Sequence, residues 1–176
     1  EWRADATPIG VLVLNDVVVP ADAVAAAPGT AEEVIELAMD EATVMSCAEM
    51  LGVMRAALDM TVEYTLTRVQ FGRPIGSFQA LKHRMADMLV LLEMCRSASW
   101  AASYAVSVGA DNAEQLAHIA KSYCSDALDR IAAETVQVHG GIAITWEHDA
   151  QLVFKRAHAL SQLFGHAHAH RALIEL

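Results

Sequence analysis

From Thr30 to Thr67 the chain contains no proline. Within that run Val44, Cys47, Leu51, Met54, Leu58, Thr61 and Val62 recur at i, i+3/i+4 intervals, which predicts one long helix. Met45, Val53 and Met60 widen the stripe, so the helix is expected to bury more than one face. Thr30 followed by Glu33 fits a capping box at its start. A helix of this length needs partners along its whole extent, and the rest of the chain supplies them. "FGRPIGS" at 71–77 breaks the run with two glycines and a proline. Phe78, Leu81, Met85, Met88, Leu92, Cys95, Ser99 and Ala102 then stripe a second helix that ends near Gly109. Asp111 is expected to open a third helix, running to about His139 and closed by Gly140-Gly141. A last helical segment begins near Glu147, where Glu147, His148 and Asp149 are capping candidates, and is interrupted around Gly165. Short loops between long helices describe an all-α, up-down four-helix bundle.

The N-terminal stretch differs in kind. "VLVLNDVVV" at 11–19 is rich in β-branched residues and is followed by Pro20, which predicts one or two short strands. Strands this small cannot bury both faces alone, so they are expected to belong to a sheet completed elsewhere. The chain thus divides into a β remnant and linker at 1–28 and a helical bundle at 29–176. Apolar residues make up 55% and aromatics only 6%, a balance that suits packed helices better than a β-sandwich. The net charge of −10 excludes a general nucleic-acid binder, which needs a basic surface, but leaves room for a local phosphate-binding pocket. Cys47, Cys95 and Cys124 form no C-x-x-C, so neither a disulfide framework nor a zinc knuckle is indicated. A reducing, cytoplasmic setting is expected. The apolar stretches are interrupted short of a membrane span. No signal peptide is recognisable, and the start at Glu1 reads as the edge of a longer polypeptide.

Two loops carry candidate chemistry. In "TRVQFGRPIGSFQ" (67–79), Arg68 stands at a helix end, with Gln70, Phe71 and Gly72 beside it. By itself this is a helix connection with a cation at the negative end of the helix dipole. In "QVHGGIAITWEHD" (137–149), Gln137 precedes a double glycine. That pair either ends a helix with Gly140 in the left-handed region or lets a phosphate approach the backbone.

Taken in order and spacing, "RVQFGRPIGSFQALKHRMADM" and "AAETVQVHGGIAITWEHDAQLVFKRA" resemble the C-terminal helical domain of the acyl-CoA dehydrogenase family. "VLVLNDVVVPADAV" is similar to the closing strands of that family's middle β-domain. The resemblance implies an FAD-dependent oxidoreductase of lipid metabolism, as in fatty-acid β-oxidation. Its substrate would be an acyl-CoA thioester, dehydrogenated between the α and β carbons. It implies a dimer or tetramer, homo-oligomeric or heteromeric with another dehydrogenase subunit, in which this domain touches a neighbour's flavin nucleotide. Arg68 would pair with the FAD pyrophosphate beside Gln70 and Phe71, Gln79 would lie near the adenine, and Gln137, Gly140 and Gly141 would cradle the ADP portion. A guanidinium for a diphosphate and glycines for close approach are chemically apt.

The same resemblance leaves the catalytic base open. Most members place a Glu just before a glycine in the last segment, where this chain has Phe164 before Gly165, with His166 in place of the usual Thr. A minority place it on the first long helix, at the position of Ala42. Asp40 matches an acidic position near the substrate, Thr43 replaces the usual Arg, and Glu41 becomes a candidate base if the register slips by one residue. Two readings follow: a dehydrogenase with an unorthodox base, or a base-lacking subunit of a heteromer. In either, the isolated chain is expected to be inactive and to hold FAD poorly, because the other flavin-binding domains are missing.

His166, His168 and His170 in "SQLFGHAHAHR" suggest a metal site. His166 and His170 would share a helix face, but two ligands fall short of a structural zinc set and Glu175 is not at a matching turn. No metal is therefore expected. None of the glutamates has His three residues on, which argues against a carboxylate di-iron bundle. A purely structural module, packing its apolar faces against identical subunits, is the remaining class. Lys155 and Arg156 read as solvent-facing or subunit-contact charges.

Overall fold

The computed structural model describes residues 2–27 and 29–174; Glu1, Pro28 and Glu175 lie outside them. Helix α1 spans Ala31–Thr67, α2 Gln79–Val108, α3 Ala113–His139, α4 Ala150–Gln162 and α5 Ala167–Ala172. They pack as the expected antiparallel bundle, with α3 at its centre against α1, α2, α4 and α5. α1 contacts α2, α3 and α4, as its wide stripe requires, although Met45 stays exposed. The core is built from Cys47, Met50, Met54, Leu92, Cys95, Cys124, Leu128, Ile131 and Leu160, with alanines such as Ala102, Ala117 and Ala120 where helices approach closely. Small residues at the crossings replace aromatic bulk, which is why so few aromatics suffice.

Several local expectations give way to other contacts. Thr30 precedes α1, but its hydroxyl donates to the Ala27 carbonyl at 3.0 Å rather than closing a capping box. Asn112, not Asp111, is the N-cap of α3. At α4 it is His148 that engages the helix start, its Nδ1 accepting from the Ala150 N–H at 3.1 Å. Gly140 has positive φ but ψ of −144°, outside the left-handed helical basin and in a region only glycine enters readily. The chain there continues into a short 3-10 turn, Gly140–Ile144.

The first interhelical loop closes into a hairpin, β1 (Val69–Gln70) against β2 (Arg73–Pro74), with Val69 opposite Pro74 and Gln70 opposite Arg73. Phe71 and Gly72 both take positive φ, the geometry of a two-residue primed turn. Residues 11–19 form no strand and bend at Asn15–Asp16, where Asp16 takes a φ of 50°. Val11 and Val18 are each 90% exposed, because no neighbouring strand is present to pair them.

The start of the chain is nonetheless tied to the bundle. Arg3 donates to the Ala159 carbonyl, and Arg156 bridges Asp5, at 2.7 Å, and Glu49. Arg156 is thus an internal staple rather than a free surface charge. Burial opposes ionisation of Asp5, but hydrogen bonds from Arg156 and Thr7 prevail and hold its carboxyl down at about 2. A depressed carboxyl stabilises the fold above its ordinary value of 3.8 and loses that contribution as pH falls through about 2. Arg156→Ala is expected to return Asp5 toward 3.8, read by carboxyl NMR titration, and to speed proteolysis of the N-terminal segment.

Candidate nucleotide-facing surface and the opposite end of the bundle

Up-down topology sends the two motif loops to one end. There Tyr64, in the last turn of α1, stacks on His139, at the end of α3, with ring centroids 4.4 Å apart. His148 packs against His139 at 4.6 Å. His139 Nδ1 donates to the Thr135 carbonyl at 2.7 Å, which leaves Nε2 as a buried acceptor without a partner. Burial holds this imidazole below its ordinary pKa, against the Thr135 bond and aided by His148.

Arg68, Gln70, Phe71, Gln79, Gln137, Gly140 and Gly141 are all exposed. Arg68 forms no ion pair among the described residues, and its backbone N–H closes α1 onto the Tyr64 carbonyl at 2.9 Å. Phe71, 92% exposed, meets Phe78 edge to face, while Arg73 lies over the Phe78 ring at 4.1 Å. Gln70 turns back to the Val69 carbonyl and Gln79 lies beside His83. A Cβ built on Gly140 or Gly141 would meet nothing within 4 Å. An open glycine backbone and a guanidinium without an ion pair among the described residues stand together at this end, whereas the bare His139 Nε2, an acceptor, has no proton to offer an anion. Next to it, Val136, Ile144, Trp146, Phe154 and Lys155 line an apolar groove of about 370 Å³.

The opposite end holds Asp40, the start of α3 and the α4–α5 turn. Asp40 is half-buried and Glu41 exposed. Burial pushes the Asp40 carboxyl up, Glu114 adds to it and His118 opposes. Ala42 is half-buried on the same stretch of α1. Phe164 sits in the α4–α5 turn at φ 58°, with its carbonyl accepting from His170 Nε2 at 2.9 Å. The histidine trio does not assemble. His166 is the N-cap of α5, its Nδ1 accepting from the Ala169 N–H at 3.0 Å, and so lies outside the helix whose face it was expected to share with His170. His168 is exposed, and His170 turns into the bundle against His118.

Lys121 and His118, on α3, were not evident as functional residues from the sequence. Lys121 is fully buried. Its Nζ reaches Ser125 Oγ at 3.0 Å and the carbonyls of Leu160, Ser161 and Gly165 at 3.4, 3.3 and 3.0 Å. The signal lay in the stripe: Lys121 falls between Ala117 and Cys124 on the apolar face of α3.

A model of the acyl-CoA dehydrogenase C-terminal domain matches residues 29–175. The chain belongs to the acyl-CoA dehydrogenase family. It is 51% identical over 126 residues to acyl-CoA dehydrogenase IpdE2 of Mycolicibacterium smegmatis, covering 72% of this chain and 39% of that one. Its fold is similar to butyryl-CoA dehydrogenase from Megasphaera elsdenii, with a TM-score of 0.88, 29% identity, and 92% of this chain and 42% of that chain covered. It is also similar to a chain of the ChsE4-ChsE5 complex from Mycobacterium tuberculosis, with a TM-score of 0.73, 33% identity, and 77% and 37% covered. The chain thus spans about two fifths of the length of these acyl-CoA dehydrogenases. No described helix is long and apolar enough to cross a membrane.

Lys121→Met keeps the length of the side chain and removes the ammonium. Leu160 keeps the Leu163 N–H as a donor, but the Ser161 and Gly165 carbonyls lose theirs, at a cost on the order of 1–3 kcal/mol each. Urea denaturation is therefore expected to show a loss within that range or above it, with faster hydrogen exchange at the end of α4.

Proposed function

We propose that this chain is the C-terminal helical domain of an FAD-dependent, cytoplasmic acyl-CoA dehydrogenase that acts between the α and β carbons of a thioester. In this reading residues 1–28 close a β-domain supplied by the rest of the protein, and residues 29–176 form the flavin-contacting bundle. The observation that carries it is the end of the bundle where Arg68 and Gly140-Gly141 stand exposed and unpartnered. The Arg68 fork pairs with a diphosphate through charge-assisted hydrogen bonds. The glycines admit the ADP portion against bare backbone, while Gln70, Phe71, Gln79 and Gln137 line its approach. A bound FAD would supply the hydride acceptor for the β carbon. A binding surface that faces outward and closes on nothing within its own chain suits a nucleotide shared with a neighbouring subunit in a dimer or tetramer. The isolated chain is inactive on this account.

A second reading has its own observation: Phe164 puts an aromatic ring in the α4–α5 turn, and a ring cannot accept a proton. With Ala42 at the alternative position, the chain belongs to a non-catalytic subunit paired with a base-bearing dehydrogenase chain. The similarity to a chain from a two-component complex favours it. If the chain is instead catalytic, the base comes from the acidic pair on α1. Glu41 lies exposed there, and Asp40 has a carboxyl raised by burial.

The purified chain is expected to carry no stoichiometric flavin absorbance. In the full-length polypeptide, assembled with its partner subunit, Arg68→Ala is expected to weaken FAD binding roughly 10–100-fold, since a hydrogen bond to a charged group contributes about 1.5–3 kcal/mol. Unchanged FAD affinity in that variant, measured by flavin fluorescence titration, would leave the bundle a scaffold and overturn the proposal.

A further inference from the structure

Two imidazoles hold the α4–α5 turn to α3, and their protons can be placed from geometry. His170 Nε2 lies 2.9 Å from the Phe164 carbonyl, which only accepts, so Nε2 carries the proton. His170 Nδ1 is then a lone pair. His118 Nδ1, 3.0 Å away, must be its donor. That leaves His118 Nε2 bare, buried and without a hydrogen bond, 3.7 Å from a Glu114 carboxylate oxygen. One proton arrangement therefore satisfies the contact between the neutral rings and the bond to Phe164.

We propose that the His118–His170 pair is a proton-operated latch on this turn, shut while one of the two facing Nδ1 atoms keeps its lone pair and open when both carry a proton. Glu114 of α3 and Asp40 of α1 are the acidic groups beside the pair. A proton on both Nδ1 atoms sets one N–H against another at 3.0 Å, and puts positive charge on His170 near the Lys121 ammonium and His166. Burial also disfavours the charged ring, and His118 adds to this, while the Phe164 bond opposes it.

A histidine whose folded pKa is lowered contributes stability that is full above its unfolded value of about 6.5 and is lost as pH falls below it. The turn is tight: Phe164 takes a φ of 58°, which a residue with a Cβ rarely adopts, and Gly165, at 102°, has no Cβ to meet His170 Nε2. Opening frees the Phe164 carbonyl and ring while Lys121 still holds the Gly165 carbonyl. This device does not depend on the flavin reading.

Hydrogen exchange of the amides at 164–170, corrected for intrinsic rates and compared with α2 amides, tests it between about pH 8 and pH 5. Protection is expected to hold down to about pH 6.5 and then fall roughly tenfold for each further unit. Nitrogen-resolved histidine NMR at the alkaline end is expected to show His170 protonated at Nε2 and His118 at Nδ1. His170→Gln keeps a donor for Phe164 and an acceptor for His118 but cannot titrate, so its turn should stay protected at the acid end. Turn protection that follows α2 at every pH would overturn the latch. So would acid opening that persists in His170→Gln, or His170 found protonated at Nδ1 in alkaline solution.

Discussion

Lys121 sits in a core otherwise made of alanine, leucine, methionine and cysteine, and its ammonium is the point on which the C-terminal third is hung. The carbonyls of Leu160 and Ser161 belong to the last turn of α4, where the helix dipole is negative, and Leu160 also accepts from the Leu163 N–H at 3.2 Å. The Gly165 carbonyl lies beyond the turn. One side chain from α3 thus ends α4, fixes the reversal after it and sets where α5 begins. Burial costs the ammonium solvation and pulls its pKa below the ordinary lysine value. The oxygens of four residues around Nζ offset that cost, which an apolar pocket would not.

From this anchor the two ends of the bundle acquire different characters. One presents the exposed motif residues around the Tyr64–His139 stack. The other gathers buried titratable groups, Asp40, His118 and His170, around the Phe164 turn. The rod-like α1 and α3 separate them while tying them to one rigid core. A domain built this way keeps the exposed motif loops and the histidine pair apart, with the packed core between them.

Much of this was legible in advance where periodicity decides. The stripes through Cys47, Met54 and Leu58, and through Met88, Leu92 and Cys95, fall on buried faces. The breaks at 71–77, near Gly109 and around Gly165 separate the helices. The motif loops stood out by residue type and spacing, and the fold brings both to one end. Capping was read less well. Thr30 and Asp111 look like caps, but a short polar side chain chooses among nearby backbone groups by fractions of an ångström, and the Ala27 carbonyl takes the Thr30 hydroxyl; of the three candidates at α4, His148 makes the cap bond. The histidine run was misleading for a similar reason: a cap residue leaves the helix, so His166 and His170 diverge.

The sequence by itself determined the helices, their order, the polar loops between them and the family, because each rests on local pattern and residue chemistry. Only the tertiary structure decided that Lys121 is a buried clamp, that His170 meets His118 across fifty-two positions, and that Arg156 joins both Asp5 and Glu49. Those contacts link residues far apart in the chain. Periodicity says which face of a helix is buried, but not which polar group on the neighbouring element will be there to meet it.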